Sequence, residues 1–157
     1  MTTKLPPVMP ALALFVLLGC GREAEGPALT VENAWARPMT VQMGEEGPLP
    51  GTSSAVYLEI LNRSPGPDRL LGGETDAAAR VELHESILAG DVVRMRRVEG
   101  VDLPQGGRVA LAPGGLHLML LDLRRSLVAG DTLSLTLVFQ TAPPATIRVP
   151  VRGMGEG

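Results

Sequence analysis

Cysteine occurs once in these 157 residues, at Cys20, so no disulfide framework holds the chain together and its stability has to come from an apolar core. Lysine also occurs once, at Lys4, which leaves 13 arginines against 17 acidic side chains beyond it. That balance supplies no basic stripe and argues against a nucleic-acid surface, where clustered positive charge is the usual footprint. Aromatic residues are scarce, with one Trp, one Tyr and two Phe, and histidine is limited to His84 and His117. The apolar run over residues 8–18 is too short to cross a bilayer. What the chain does have is 45% hydrophobic residues broken up by 19 Gly and 14 Pro. Short apolar stretches between breakers favour many short strands over long helices, and the length fits one domain with a real core. An all-β, single-domain fold is therefore expected.

The N-terminus reads differently from the rest. Lys4 ahead of the 8–18 run has the form of an export signal with a short apolar region. The run ends at Leu17-Leu18-Gly19-Cys20, which resembles the lipobox of bacterial lipoproteins. That resemblance implies a signal peptide over 1–19, acylation of Cys20 and a membrane anchor on an exported, periplasmic or otherwise extracytoplasmic protein. Residues 20–28 read as the lipidated N-terminus and a tether, 29–152 as the folded domain, and 153–157 as a short tail.

Strands are expected near 30–36, 53–61, 70–74, 80–87, 92–98, 108–111, 116–123, 132–139 and 146–151. Turn chemistry such as Ser64-Pro65-Gly66-Pro67, Ala89-Gly90-Asp91 and Pro113-Gly114-Gly115 separates them, and the spacing suggests a sandwich or barrel. Alternation is clear in the last long strand, where Leu133, Leu135, Leu137 and Phe139 share one face. In 116–123 the same rule puts Leu116, Leu118 and Leu120 on one side and His117 with Met119 on the other. The loop 37–51, with Met39 and Met43, is long enough to suggest a functional role.

Both histidines fall in one pattern: His84, ten residues, Met95, twenty-one residues, then His117-Leu118-Met119. Imidazole nitrogen with uncharged thioether sulfur is a soft donor set that favours Cu(I) over zinc, magnesium or calcium. Affinity is expected to weaken in acid, because protons compete for imidazole and not for thioether. If the hairpin turn is centred between Ala89 and Gly90, His84 and Met95 are direct cross-strand partners; a three-residue turn pairs His84 with Arg96 instead. Around these four, Glu82 and Glu85 are candidates to orient the His84 imidazole, against the plainer reading of solvated carboxylates. Met39 and Met43 are candidate auxiliary thioethers, although a loop methionine more often caps a core. Arg94, Arg96 and Arg97 read as a solvated edge able to meet an acidic partner, and Trp35 and Tyr57 as packing in or near the site.

With those residues in view the chain resembles the periplasmic copper chaperones called PCuAC, whose mark is His, ten residues, Met, twenty-one residues, His-x-Met. The likeness extends to Asn33-Ala34-Trp35-Ala36-Arg37-Pro38, to Val81-Glu82-Leu83-His84-Glu85 and to the stretch from Leu111 through Met119. It implies a cupredoxin-like Greek-key β-sandwich or barrel that carries Cu(I) and passes it to the binuclear copper site of cytochrome c oxidase subunit II, alongside Sco-type proteins. Some members carry a Met- and His-rich C-terminal tail that adds a Cu(II) site; with only Met154 in the short tail here, that second site is not expected.

An enzyme is not expected: two histidines and two thioethers do not make the three His/Glu/Asp/Cys ligands and activated water of catalytic zinc. Electron transfer through a blue-copper centre needs a cysteine thiolate, and Cys20 lies at the lipobox. The remaining alternatives are periplasmic copper storage or resistance, or a structural lipoprotein without a delivery role.

Overall fold

The computed structural model describes residues 28–45, 47–90 and 92–153. The expected signal peptide, Cys20, most of the expected tether and Met154 lie outside them. Among the described residues twelve strands form: β1 Leu29–Ala36, β2 Met43–Gly44, β3 Gly47–Pro48, β4 Ser53–Asn62, β5 Asp68–Glu74, β6 Ala78–Ala89, β7 Val92–Val98, β8 Val101–Leu103, β9 Arg108–Leu111, β10 Leu116–Leu123, β11 Thr132–Phe139 and β12 Ala145–Pro150. All nine expected strands are present, and the fold is the all-β sandwich anticipated from their spacing. The three that the sequence pattern did not reveal are β2, β3 and β8, each only two or three residues long, too short to show a period.

The strands make two antiparallel sheets and a small ribbon. The larger sheet runs β1-β4-β10-β6-β7, with β9 pairing the second half of β4; the smaller runs β12-β11-β5-β8; β2 and β3 pair only with each other. Alternation explains the packing. Leu133, Leu135, Leu137 and Phe139 of β11 are all buried, and they meet Val56, Leu58 and Ile60 of β4 with Leu118 and Leu120 of β10 in one core cluster. Each leucine side chain removed from water in this way contributes about 1.5–3 kcal/mol. Because β10 and β6 place their even and odd leucines inward, their opposite faces are free to carry polar and sulfur side chains.

A bulge between Glu32 and Trp35, with Asn33 at φ 53°, shifts the register of β1 so that Trp35 stands opposite Tyr57. That shift matters for the site, because it places the Trp35 ring on the outer face of the large sheet.

Candidate metal centre

The register of β10 against β6 puts His117 directly opposite His84 and Met119 opposite Glu82. On the other side of β10, Leu118 pairs with Val56 and Met119 with Ala55, which aligns His117 with Tyr57. One row thus crosses the sheet from Trp35 through Tyr57, His117 and His84 to Arg97. Ring centroids along it lie 4.7 Å (Trp35 to Tyr57), 6.2 Å (Tyr57 to His117) and 6.1 Å (His117 to His84) apart. Trp35 and Tyr57 therefore pack beside the site, as expected of them.

Each imidazole has one nitrogen engaged. His117 Nδ1 lies 3.0 Å from the carbonyl oxygen of Gly115, which only accepts, so Nδ1 carries the proton and Nε2 keeps a lone pair. His84 Nε2 lies 3.2 Å from Glu82 Oε2, and the carboxylate likewise takes the imidazole N–H. The opposite nitrogen, His84 Nδ1, is buried and has no hydrogen-bond partner. A buried unpartnered acceptor is costly in a native fold and points to a ligand. Holding the far N–H of a ligating imidazole with a carboxylate or carbonyl is also how metal sites fix the tautomer and ring orientation.

The cross-strand pairing of His84 with Met95 does not form. The β6–β7 hairpin pairs Ala89 with Val92, placing His84 opposite Arg97 and Met95 opposite Ser86. The turn falls one residue later than its expected centre, with Gly90 at φ 64°, the left-handed conformation that tight hairpin turns demand. Moving the turn by one residue slides the partner by two, so parity is kept and Met95 still shares the His84 face, diagonally across the strands. Met95 and Met119 consequently flank the histidine row on opposite sides.

Glu85 takes no part in holding His84. One residue from His84 along a strand, it projects to the other face and binds Arg96 at 3.0 and 2.8 Å, whereas Glu82, two residues away, shares the His84 face. Arg97 Nε stands 3.7 Å from the same Glu82 oxygen, so Arg96 and Arg97 are tied back to the domain rather than wholly solvated.

A cleft of about 440 Å³ opens over this face, walled by Met39, Tyr57, Met95, Gly114, His117 and Met119, with Arg37 at its side. Of the two loop methionines, Met39 is brought to it; Met43 sits on the β2–β3 ribbon, 68% exposed, and does not line it. His117 is 2% exposed and Met95 58%, so the donor set runs from a buried imidazole to an open thioether. Among the described residues no three His, Cys, Asp or Glu side chains gather as a hard metal site. The donors present fit a soft ion. Sequence reasoning missed the Gly115 carbonyl and Arg37; the only trace of the former was its place two residues before His117 at a Gly-Gly turn.

Residues 29–151 match the family described as "Putative lipoprotein LpqE-like". This chain belongs to the LpqE-like family. Among its relatives, "Putative lipoprotein Lxx21020" of Leifsonia xyli is 29% identical over 84% of this chain and 73% of its own. The uncharacterized protein RP573 of Rickettsia prowazekii is 29% identical over 74% of this chain and 62% of its own, so the chain spans less than two thirds of that relative. Among solved structures, the copper-bound PCuAC domain from PmoF2 is 29% identical, covers 81% of this chain and 94% of its own, and superposes with a TM-score of 0.63. The Cu(I) form of DR1885 from Deinococcus radiodurans is 27% identical over 87% of each chain, with a TM-score of 0.58. The resemblance to PCuAC domains read from the sequence is thus met in both family and fold.

Proposed function

We propose that this chain is an exported copper carrier that binds Cu(I) through His84, His117, Met95 and Met119. The observation that carries this reading is the pair of facing imidazoles, each with one nitrogen committed to a hydrogen bond and the other left with a free lone pair, flanked by thioethers on both sides. His84 would offer Nδ1 and His117 Nε2. The neutral sulfurs select Cu(I) over harder ions, and the described residues include no thiolate that would make a blue-copper electron-transfer centre. Likeness to a copper-bound PCuAC domain and to a Cu(I)-bound protein supports the same cargo.

A carrier must release what it binds. The buried His117 gives a rigid inner anchor, and the exposed Met95 gives a position that an incoming ligand can displace. In this reading the recipient is a respiratory cuproprotein, the binuclear copper site of cytochrome c oxidase subunit II, with Sco-type proteins acting alongside. Acylation of Cys20 would hold the carrier at the membrane and raise its effective concentration near such a target. The lipoprotein description of the family and of its Leifsonia relative supports that anchor.

The test is anaerobic competition for Cu(I) against a chromophoric chelator. Replacing Met95 and Met119 together by Leu keeps side-chain volume and is expected to weaken binding by about 100-fold, near 2.8 kcal/mol. Unchanged affinity in that double variant refutes the ligand set. Delivery is tested by mixing the loaded protein with an isolated oxidase subunit II domain and measuring copper in the separated recipient; copper that stays with the donor refutes that recipient.

A further inference from the structure

We propose that Met39 is a third thioether of the copper cleft and exchanges with Met95 as the outer sulfur ligand of Cu(I). The proposal rests on the ligand set given above and extends it. Met39 and Met95 both line the cleft that contains His117 and Met119. They reach it from different parts of the chain, Met95 from the edge strand β7 and Met39 from the segment after β1.

Met39 is not on a loose loop. Its backbone N–H donates to the Leu127 carbonyl at 2.9 Å and its carbonyl accepts from the Leu127 N–H at 2.9 Å, and Leu127 is itself buried in the core. The residue, by contrast, remains 38% exposed and is not part of the core cluster. A methionine whose backbone is pinned beside the cleft, and which lines it while staying partly open to solvent, is placed as a donor would be.

Four donors satisfy the set proposed above, so a fifth soft donor in the same cleft is surplus for holding the ion. It is useful for exchange. With two exposed thioethers, one Cu–S bond can form as the other breaks, the ion staying bound to the inner donors while an outer position opens to a recipient's ligand. Both sulfurs are neutral and the copper remains Cu(I), so no proton or electron moves. Met43, outside the cleft and on the neighbouring ribbon, supplies the internal control.

The experiment is a double-variant cycle on Cu(I) affinity, by chelator competition, with Met39→Leu, Met95→Leu and both. Met39→Leu alone is expected to cost no more than about threefold, because Met95 remains, whereas the double variant loses about tenfold more than the product of the single losses. In parallel, the Met39 side-chain methyl resonance is expected to shift on adding one equivalent of Cu(I) while that of Met43 stays put. Single losses that simply multiply, together with an unmoved Met39 methyl, overturn the proposal. His84→Ala and His117→Ala separate the two readings: if both abolish tight binding while Met39 and Met95 show no coupling, only the third thioether falls. If neither His variant weakens binding, the ligand set falls and this proposal with it.

Discussion

Glu82 offers the sharpest test of how the fold tunes the site, because it touches the proposed copper ligand His84 without belonging to the proposed donor set. Its Oε2 lies 3.2 Å from His84 Nε2, its side chain is 17% exposed, and Arg97 Nε stands 3.7 Å from the same oxygen. Hydrogen bonds to charged groups are worth about 1.5–3 kcal/mol. This one is at the long end of the N–H···O range and its charge is shared with a guanidinium, so the lower bound is the appropriate figure. About 1.4 kcal/mol is a tenfold change in equilibrium constant, which meets the lower edge of the 10–100-fold losses usual for partners of metal-bound histidines. Glu82→Ala is therefore expected to weaken Cu(I) binding about tenfold in anaerobic chelator competition. Glu82→Gln, which keeps an oxygen acceptor and loses the charge, should fall between Ala and the unaltered protein. Thermal unfolding of the copper-free variants checks that the sheet is intact. If Glu82→Ala binds Cu(I) as tightly as the unaltered protein, the carboxylate does not orient His84. If Gln is as damaging as Ala, charge rather than the hydrogen bond is what matters.

Other expectations concern the scaffold. Leu118, fully buried behind His117 and Met119, should cost about 2–5 kcal/mol when cut to Ala, read from denaturant unfolding, and added Cu(I) should restore part of that loss because it binds only the folded state. Gly114 sits at φ 82° in the turn that leads into β10, and a Cβ there would meet nothing within 4 Å, so Gly114→Ala should destabilise by about 1–2 kcal/mol through backbone conformation alone; a stability equal to the parent would contradict the left-handed turn. Burial raises the pKa of the Asp68 carboxyl, but the backbone N–H groups of Arg69, Ala142, Thr141 and Gln140 outweigh it and hold the group below its ordinary value of 3.8. A folded-state pKa below the unfolded one contributes stability that is fully present above the ordinary value and is lost as the pH falls through the folded one. Unfolding midpoints should thus drop in acid below about pH 3.9, and Asp68→Asn should flatten that acid limb; a parallel curve for the variant would show that Asp68 is not responsible.

Much of the site was legible because it depends on local rules. Strand parity alone put His117 and Met119 together on the face opposite Leu118, and the same rule separates Glu82, which holds His84, from Glu85, which turns away to Arg96. Both acidic residues looked equivalent as neighbours of a histidine until the two-residue period was applied to them. Met39 and Met43 could not be told apart, since nothing in a loop sequence says which residue will bridge to another connecting segment 88 positions later, as Met39 does to Leu127.

The residue types, the strand alternation and the two-residue step from His117 to Met119 follow from the sequence by itself, because a strand's side chains alternate whatever the strand pairs with. Tertiary structure decided the partners. That β10 lies between β4 and β6, so that His84 faces His117 rather than Met95, is a matter of long-range strand order and of a turn shifted by one residue at Gly90. Register is set by which distant apolar faces meet in the core, here Leu83 against Leu118, and the imidazoles on the outer face follow those leucines into place.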